Sequence, residues 1–244
     1  MIYTRKLYLT AFLFTLTLGL YPTIASAQTN PNTAVNSLSR GLGDKSTAEE
    51  ARYLIFSYHS DNKESETSYL YDWESGNCRF EGQTKDLKDL VVLFNTDAAG
   101  GQVFVDENSV TDESLLKDVR QSFEDDSYFL FIPILIAKQE INTVELEPEI
   151  VDSKKFHVLR VTSPDSKYKS SKIYVDFQDG TIYKWNTYDS KNRLSHELLV
   201  SQTKDLGGGL ILPTQFTDKS TGETFGYPIA AALLNIEPQK FKKP

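Results

Sequence analysis

The stretch S-K-I-Y-V-D-F-Q-D-G-T-I-Y-K-W-N-T-Y-D, Ser171 to Asp189, decides the reading of this chain. Two runs that alternate apolar and polar residues, rich in β-branched and aromatic types, flank Asp179-Gly180. That dipeptide tolerates positive φ and suits a two-residue type I′ turn, so the stretch predicts a β-hairpin. Such a turn sets Tyr174 opposite Trp185, Asp176 opposite Tyr183 and Phe177 opposite Ile182, because loop length fixes register. One face then carries Ile173, Val175, Phe177 and Ile182, and the other Tyr174, Tyr183 and Trp185 among Lys172 and Asp176. A hairpin apolar on both faces is covered twice, or uses one face to hold something apolar.

Working outward, more strands follow the same pattern: Arg52 to Ser60, Ser68 to Glu74, Cys78 to Gly82, Leu90 to Asn95 and Gln102 to Asp106 before the hairpin. After a break come Thr143 to Glu147, Lys155 to Thr162, Leu194 to Thr203, Leu210 to Asp218 and Glu223 to Tyr227. Short turns join them, which describes an antiparallel meander. Gly207-Gly208-Gly209 reads as a flexible turn, and without a following G-K-S or G-K-T it is no phosphate loop. Ala34, Leu38 and Leu42 share the face of a short leading helix that Gly43 can end.

The break is Thr111 to Asp126, a helix capped by Thr111 with Asp112 and Glu113 at its positive end and Leu115, Leu116, Val119 and Phe123 on one side. Next comes S-Y-F-L-F-I-P-I-L-I-A, Ser127 to Ala137, the most apolar run outside the leader, in which Pro133 is expected to kink or break a helix. A run this apolar must be buried, against the sheet or as a lid over it.

Residues 1–27 read as a cleaved secretory leader: Arg5 and Lys6, an apolar core from Leu7 to Leu20, and Ala25-Ser26-Ala27 ahead of Gln28. The core is too short for a membrane span, nothing later supplies a transmembrane segment, and no cysteine sits at the cleavage point to receive a lipid. A periplasmic or secreted protein is expected, with residues 28–244 as one domain. Losing the two leader cations and no anions leaves 24 basic and 34 acidic residues, a formal net charge of −10. That balance disfavours nucleic acid and anionic lipid surfaces. Cys78 is the one cysteine, so no internal disulfide forms, and it reads as a buried or idle thiol.

An enzyme has little to stand on. His59, His157 and His196 are far apart, with no H-E-x-x-H and no ligand-spaced pair. His196 and Glu197 are neighbours on a strand and point to opposite faces. There is no G-x-S-x-G, and Glu124-Asp125-Asp126 reads as a solvated helix end that lacks a calcium-loop pattern. No catalytic residue, metal or cofactor is expected.

The order of a leading helix, strands, an insert ending S-Y-F-L-F-I-P, then F-H-V-L-R-V-T, I-Y-V-D-F-Q-D-G-T-I-Y-K-W and I-L-P-T-Q-F resembles secreted members of the LolA/LolB-like lipoprotein-carrier superfamily. A strand ending Y-V-D, a D-G or T-G turn, an aromatic return strand and a late L-P-x-x-F, here Leu212 to Phe216, carry the resemblance, which spans about Thr33 to Glu237. It implies an α+β fold: an incomplete, strongly curved antiparallel β-barrel with a helical lid on its concave face, enclosing an apolar cavity for acyl chains. The missing lipidation cysteine matches the soluble carrier, not the anchored receptor.

The expected function is therefore a binding or carrier protein for a lipid or a lipoprotein acyl chain. Cavity candidates are Phe56, Tyr69, Tyr71, Trp73, Phe104, Phe129, Phe131, Tyr183 and Trp185. Each buried methylene is worth about 0.8 kcal/mol, so partial enclosure already gives affinity. The alternative is an envelope module that binds protein or glycan through exposed Tyr and Trp, without lipid. An envelope protein partner fits either reading, and a monomer is expected.

Overall fold

A computed structural model describes residues 33–43, 45–61, 67–163 and 166–242. The leader and the polar residues up to Pro31 lie outside the described residues, as does most of the charged turn after Ser60. Two short helices open the described part, α1 (Thr33–Gly41) and α2 (Lys45–Glu50). Strands β1 (Tyr53–Ser60), β2 (Thr67–Asp72), β3 (Asn77–Gln83), β4 (Asp89–Asn95), β5 (Gly101–Val105) and β6 (Asn108–Val110) follow. Helix α3 (Glu113–Lys138) leads to β7 (Thr143–Val151), β8 (Lys154–Thr162), β9 (Ser170–Asp176), β10 (Ile182–Tyr188), β11 (Leu194–Asp205) and β12 (Ile211–Asp218). Short β13 (Thr224–Gly226), β14 (Ala230–Leu233) and a 3-10 turn (Pro238–Phe241) close the chain.

All pairings are antiparallel, in the order β6-β5-β4-β3-β2-β1-β13-β12-β11-β10-β9-β8-β7, with β14 on β1. The path does not close, so β6 and β7 are its edges and α3 joins them. The sheet is strongly curved, as one helix makes plain. Phe123 packs on Phe94 of β4 with ring centroids 5.7 Å apart, and the Tyr128 hydroxyl meets Ser171 Oγ of β9 at 3.0 Å. Those strands stand eight places apart in the order. A flat sheet would separate them by roughly 38 Å, whereas five helical residues advance about 7.5 Å. The sheet must therefore wrap around α3, and the fold is the incomplete barrel with helices on its concave face that the resemblance implies.

Helix α3 runs unbroken through Pro133. Its cap is Asp112, whose side chain accepts from the Leu115 N–H at 2.9 Å, rather than Thr111. It ends at Gln139 in the left-handed region, whose N–H donates to the Ile136 carbonyl while Glu140 N–H reaches Leu135. Pro133 is tolerated because every residue from Asp126 to Ile134 is buried, and packing on all sides outweighs the lost backbone hydrogen bond. Asp126, expected on a solvated end, is 2% exposed.

The hairpin forms where expected, but its register differs. Its turn is longer than two residues: Asp176 N–H donates to the Thr181 carbonyl and Gly180 N–H returns to Asp176. A bulge at Tyr183 then pairs Trp185 with Ile173 and Lys184 with Tyr174. The extra residue moves Trp185 to the inner face beside Ile173, Val175 and Ile182 and leaves Tyr174 and Tyr183 outside. Phe177 belongs to neither strand and stacks on His157, ring centroids 3.6 Å apart.

Gly41 and Gly180 meet where α1 sits on this turn. A Cβ on Gly41 would fall 2.1 Å from the Gly180 carbonyl oxygen, and Gly180 has φ +78°. Only glycine on both sides permits this approach. The α1 end is also tied to β12, through Ile211 N–H to the Leu42 carbonyl at 2.9 Å.

Candidate functional site

The concave face presents one residue in two from most strands, and the alternation that makes these strands also collects their rings. From β1 and β2 come Leu54, Phe56, Tyr69 and Tyr71; from β9, β10 and β12 come Ile173, Val175, Trp185, Leu212 and Phe216. Rings on α3 lie between the two groups. Phe131 packs 5.8 Å from Phe56, 5.1 Å from Tyr71 and 4.6 Å from Trp73. Phe129 packs 5.2 Å from Trp185 and from Phe216 and 5.1 Å from Phe225. The rings of β1 and β2 and those of β10, β12 and β13 thus both pack on the side chains of α3, which fill the trough.

Seven of the nine cavity candidates come together here: Phe56, Tyr69, Tyr71, Trp73, Phe129, Phe131 and Trp185. Phe104 and Tyr183 do not join them. Phe104 alternates with Val103 and Val105, which take the inner positions on β5. Tyr183 sits on the bulge and stacks on Phe156, centroids 4.8 Å apart, with its hydroxyl donating to Asp152 at 2.8 Å. Phe123, Phe216, Phe225 and Tyr227 were missed, although alternation along L-P-T-Q-F and the spacing of Phe123 before Phe131 could have placed two of them.

Polar groups hold α3 at few points. Asp126 Oδ2 accepts from Tyr69 at 2.8 Å and Thr67 at 3.0 Å, both on β2, and its carbonyl accepts from Tyr227 at 2.7 Å. Burial first, and the Asp126 charge second, push the Tyr69 hydroxyl far above its ordinary range, so it stays a donor. The Trp73 and Trp185 indole N–H groups, and the Thr187 and Thr214 hydroxyls, are buried without a hydrogen-bond partner.

A rim crevice of about 240 Å³ lies beside the interior. Tyr58, Tyr168, Leu198 and Phe225 form its apolar wall, and Lys167, His196, Asp218 and Glu223 its polar edge. Tyr168 and Phe225 both touch Phe129, so the wall of the crevice backs onto the α3 rings. His196 Nδ1 lies 2.7 Å from Asp218 Oδ2. Burial would raise the Asp218 carboxyl, but hydrogen bonds from Ser220 and His196 more than offset it and hold it below the usual range. Burial, then Asp126, pushes Tyr58 up to about 12.

A larger cleft of about 370 Å³ lies outside, between Ile55, Leu70 and the closing segment at Ile236. Its Arg79 guanidinium is already engaged by Glu81 and the Lys240 carbonyl. Ile55 and Leu70 alternate with the inner residues of their strands, which sets this cleft on the outer face of the sheet.

No family model matches this chain, and no curated protein matches it either. Among solved structures it is similar to a LolA superfamily protein from Nitrosomonas europaea, at 15% identity over 82% of this chain and 97% of that one, TM-score 0.45. A domain described as an outer membrane lipoprotein-sorting protein from Vibrio parahaemolyticus aligns at 14% identity over 81% and 95%, TM-score 0.44. A DUF1329 family protein from Desulfovibrio piger aligns at 13% over 85% and 95%, TM-score 0.42. Identities and scores at this level describe a loose likeness and carry no function across.

The three histidines sit apart. His59 is exposed on β1, His196 is at the rim, and His157 is buried between Ser37 Oγ at 3.4 Å and Glu145 at 3.5 Å. Cys78 is 1% exposed, and burial raises its thiol well above the ordinary value. Among the described residues no group of three His, Cys, Asp or Glu side chains could hold a metal ion, and no helix is long and apolar enough to cross a membrane.

Proposed function

We propose that this protein binds an apolar chain on the concave face of its sheet and that α3 is the displaceable cover over that face. One observation carries the reading: Phe131 packs on the rings of Phe56 and Tyr71 while Phe129, on the same helix, packs on those of Trp185, Phe216 and Phe225, so lifting α3 leaves a continuous apolar trough. The stretch of α3 from Phe129 to Ile136 stands in for the cargo in the closed form. The Trp73 and Trp185 indole N–H groups and the Thr187 and Thr214 hydroxyls lack a hydrogen-bond partner there, donors that a polar end of a bound amphiphile could satisfy. The cargo class is a lipid or a lipoprotein acyl chain, and the leader reading sets the work in the periplasm or outside the cell.

The filled face also favours a second reading, an envelope scaffold without cargo. Its platform of exposed Trp lacks support, because Trp185 is fully buried and Trp73 packs on Phe131.

Native mass spectrometry of the purified protein, followed by titration with a pyrene-labelled monoacylglycerol, separates the two. A carrier retains lipid or takes up the probe in a saturable manner. Trp73→Ala then weakens uptake about fivefold, as loss of roughly 1 kcal/mol of ring contact requires. No bound lipid and no saturable uptake leave the scaffold standing.

A further inference from the structure

The rim crevice has a character of its own. Its apolar wall is mostly rings, Tyr58, Tyr168 and Phe225, and its edge carries two carboxylates, Asp218 and Glu223. A third, Asp125, stands beside Lys167. The opposing groups are the Lys167 ammonium and the His196 imidazole, each already facing a carboxylate, at 3.3 Å and 2.7 Å. The chain also shows which charge this surface accepts. Lys167 lays its own ammonium over the Tyr168 ring, 4.9 Å from the centroid, while its Nζ reaches Asp125. Ring faces are the negative ends of the aromatic quadrupole, so they attract an ammonium and repel an anion.

We propose that this crevice recognises an organic ammonium group, the head of an amphiphile whose chain lies along the concave face. The chain's place rests on the carrier reading; the ammonium site does not. Rings and carboxylates on one wall combine the two forces that hold a weakly hydrated cation, quadrupole and charge. A carboxylate or phosphate head entering the same crevice meets Glu223, Asp218 and the Tyr168 ring, and finds Lys167 and His196 already paired. In this picture Lys167 is an internal competitor that holds the Tyr168 face until the ligand arrives.

The test is isothermal titration of the full chain with decyltrimethylammonium, decanoate and 1-monodecanoylglycerol, each below its micelle concentration. The ammonium binds about tenfold more tightly than decanoate, the factor one well-placed ring–ammonium contact supplies. Lys167→Ala, a half-exposed position, tightens ammonium binding severalfold by freeing the ring, and Glu223→Gln weakens it. Equal binding of all three, tighter decanoate binding, or indifference to both substitutions overturns the proposal while leaving the carrier reading intact. Should no alkyl probe bind, the carrier reading fails. Tetramethylammonium then decides alone: shifts of the Tyr58 and Tyr168 ring resonances uphold the ammonium site, and their absence overturns it.

Discussion

The Tyr69 hydroxyl donates to Asp126 Oδ2 at 2.8 Å in the middle of the aromatic interior. A carboxylate on the buried stretch of α3 is thus pinned to β2, with Thr67 as a second donor. Asp126→Leu leaves both hydroxyls without that acceptor and is expected to cost about 1–3 kcal/mol for each one stranded. Urea unfolding reads the loss. The Tyr69→Phe/Asp126→Leu double variant recovers part of it, and strictly additive losses would show that the pair does not interact.

Gly41 and Gly180 are expected to be intolerant of any side chain. Gly41→Ala brings a methyl against the Gly180 carbonyl, so α1 must lift from the hairpin turn. Gly208→Ala is the control, since its φ is positive like that of Gly180, +64° against +78°, but open space surrounds its Cβ. Thermal melting should show Gly208→Ala losing about 1 kcal/mol and Gly41→Ala clearly more.

Stability is expected to fall between neutral and mildly acidic pH because of His157. Burial, the largest influence, lowers its pKa below 6.5 against the raising pull of Glu145, with Lys155 and Arg40 adding to the lowering. Folded protein therefore binds fewer protons at this site than unfolded chain, so its contribution is full above about pH 7 and is lost as pH falls through 6.5 toward the folded pKa. Urea midpoints at pH 7.5 and 5.5 measure this, and His157→Gln should flatten the difference. The carboxyls of Asp179 and Asp218, held low by their hydrogen bonds, act in a separate window below about pH 4.

Cys78 should resist a thiol reagent in native buffer and react only when the β3 wall opens. Its thiol is buried and its pKa raised, so little thiolate is present or reachable. Labelling kinetics followed by mass spectrometry across a urea series should track global unfolding; fast native labelling would contradict the closed packing at β3.

Strand positions were legible because alternation is strong: β1, β3, β4 and β8 fall within a residue or two of the expected segments. Faces after a bulge were not. One unpaired residue at Tyr183 inverts everything beyond it, and nothing in T-I-Y-K-W marks which residue loses its partner. The α3 helix was read as two pieces because Pro133 carries a large local cost, and a local rule does not see packing on every side. Asp126 escaped notice for the same reason, since E-D-D looks solvated until Tyr69, Thr67 and Tyr227 arrive from distant strands. The short α2, β6 and β14 carry too few residues for a period to show.

Helix α3 is spliced between the two outermost strands, by two residues after β6 and four before β7. It is a crossbar, not a door hung on one hinge. Tethers this short keep both ends of the bar tied to the rims, so it lifts from the trough only as the two rims part with it or as the bar bends within itself, and Pro133 already interrupts its internal bonding.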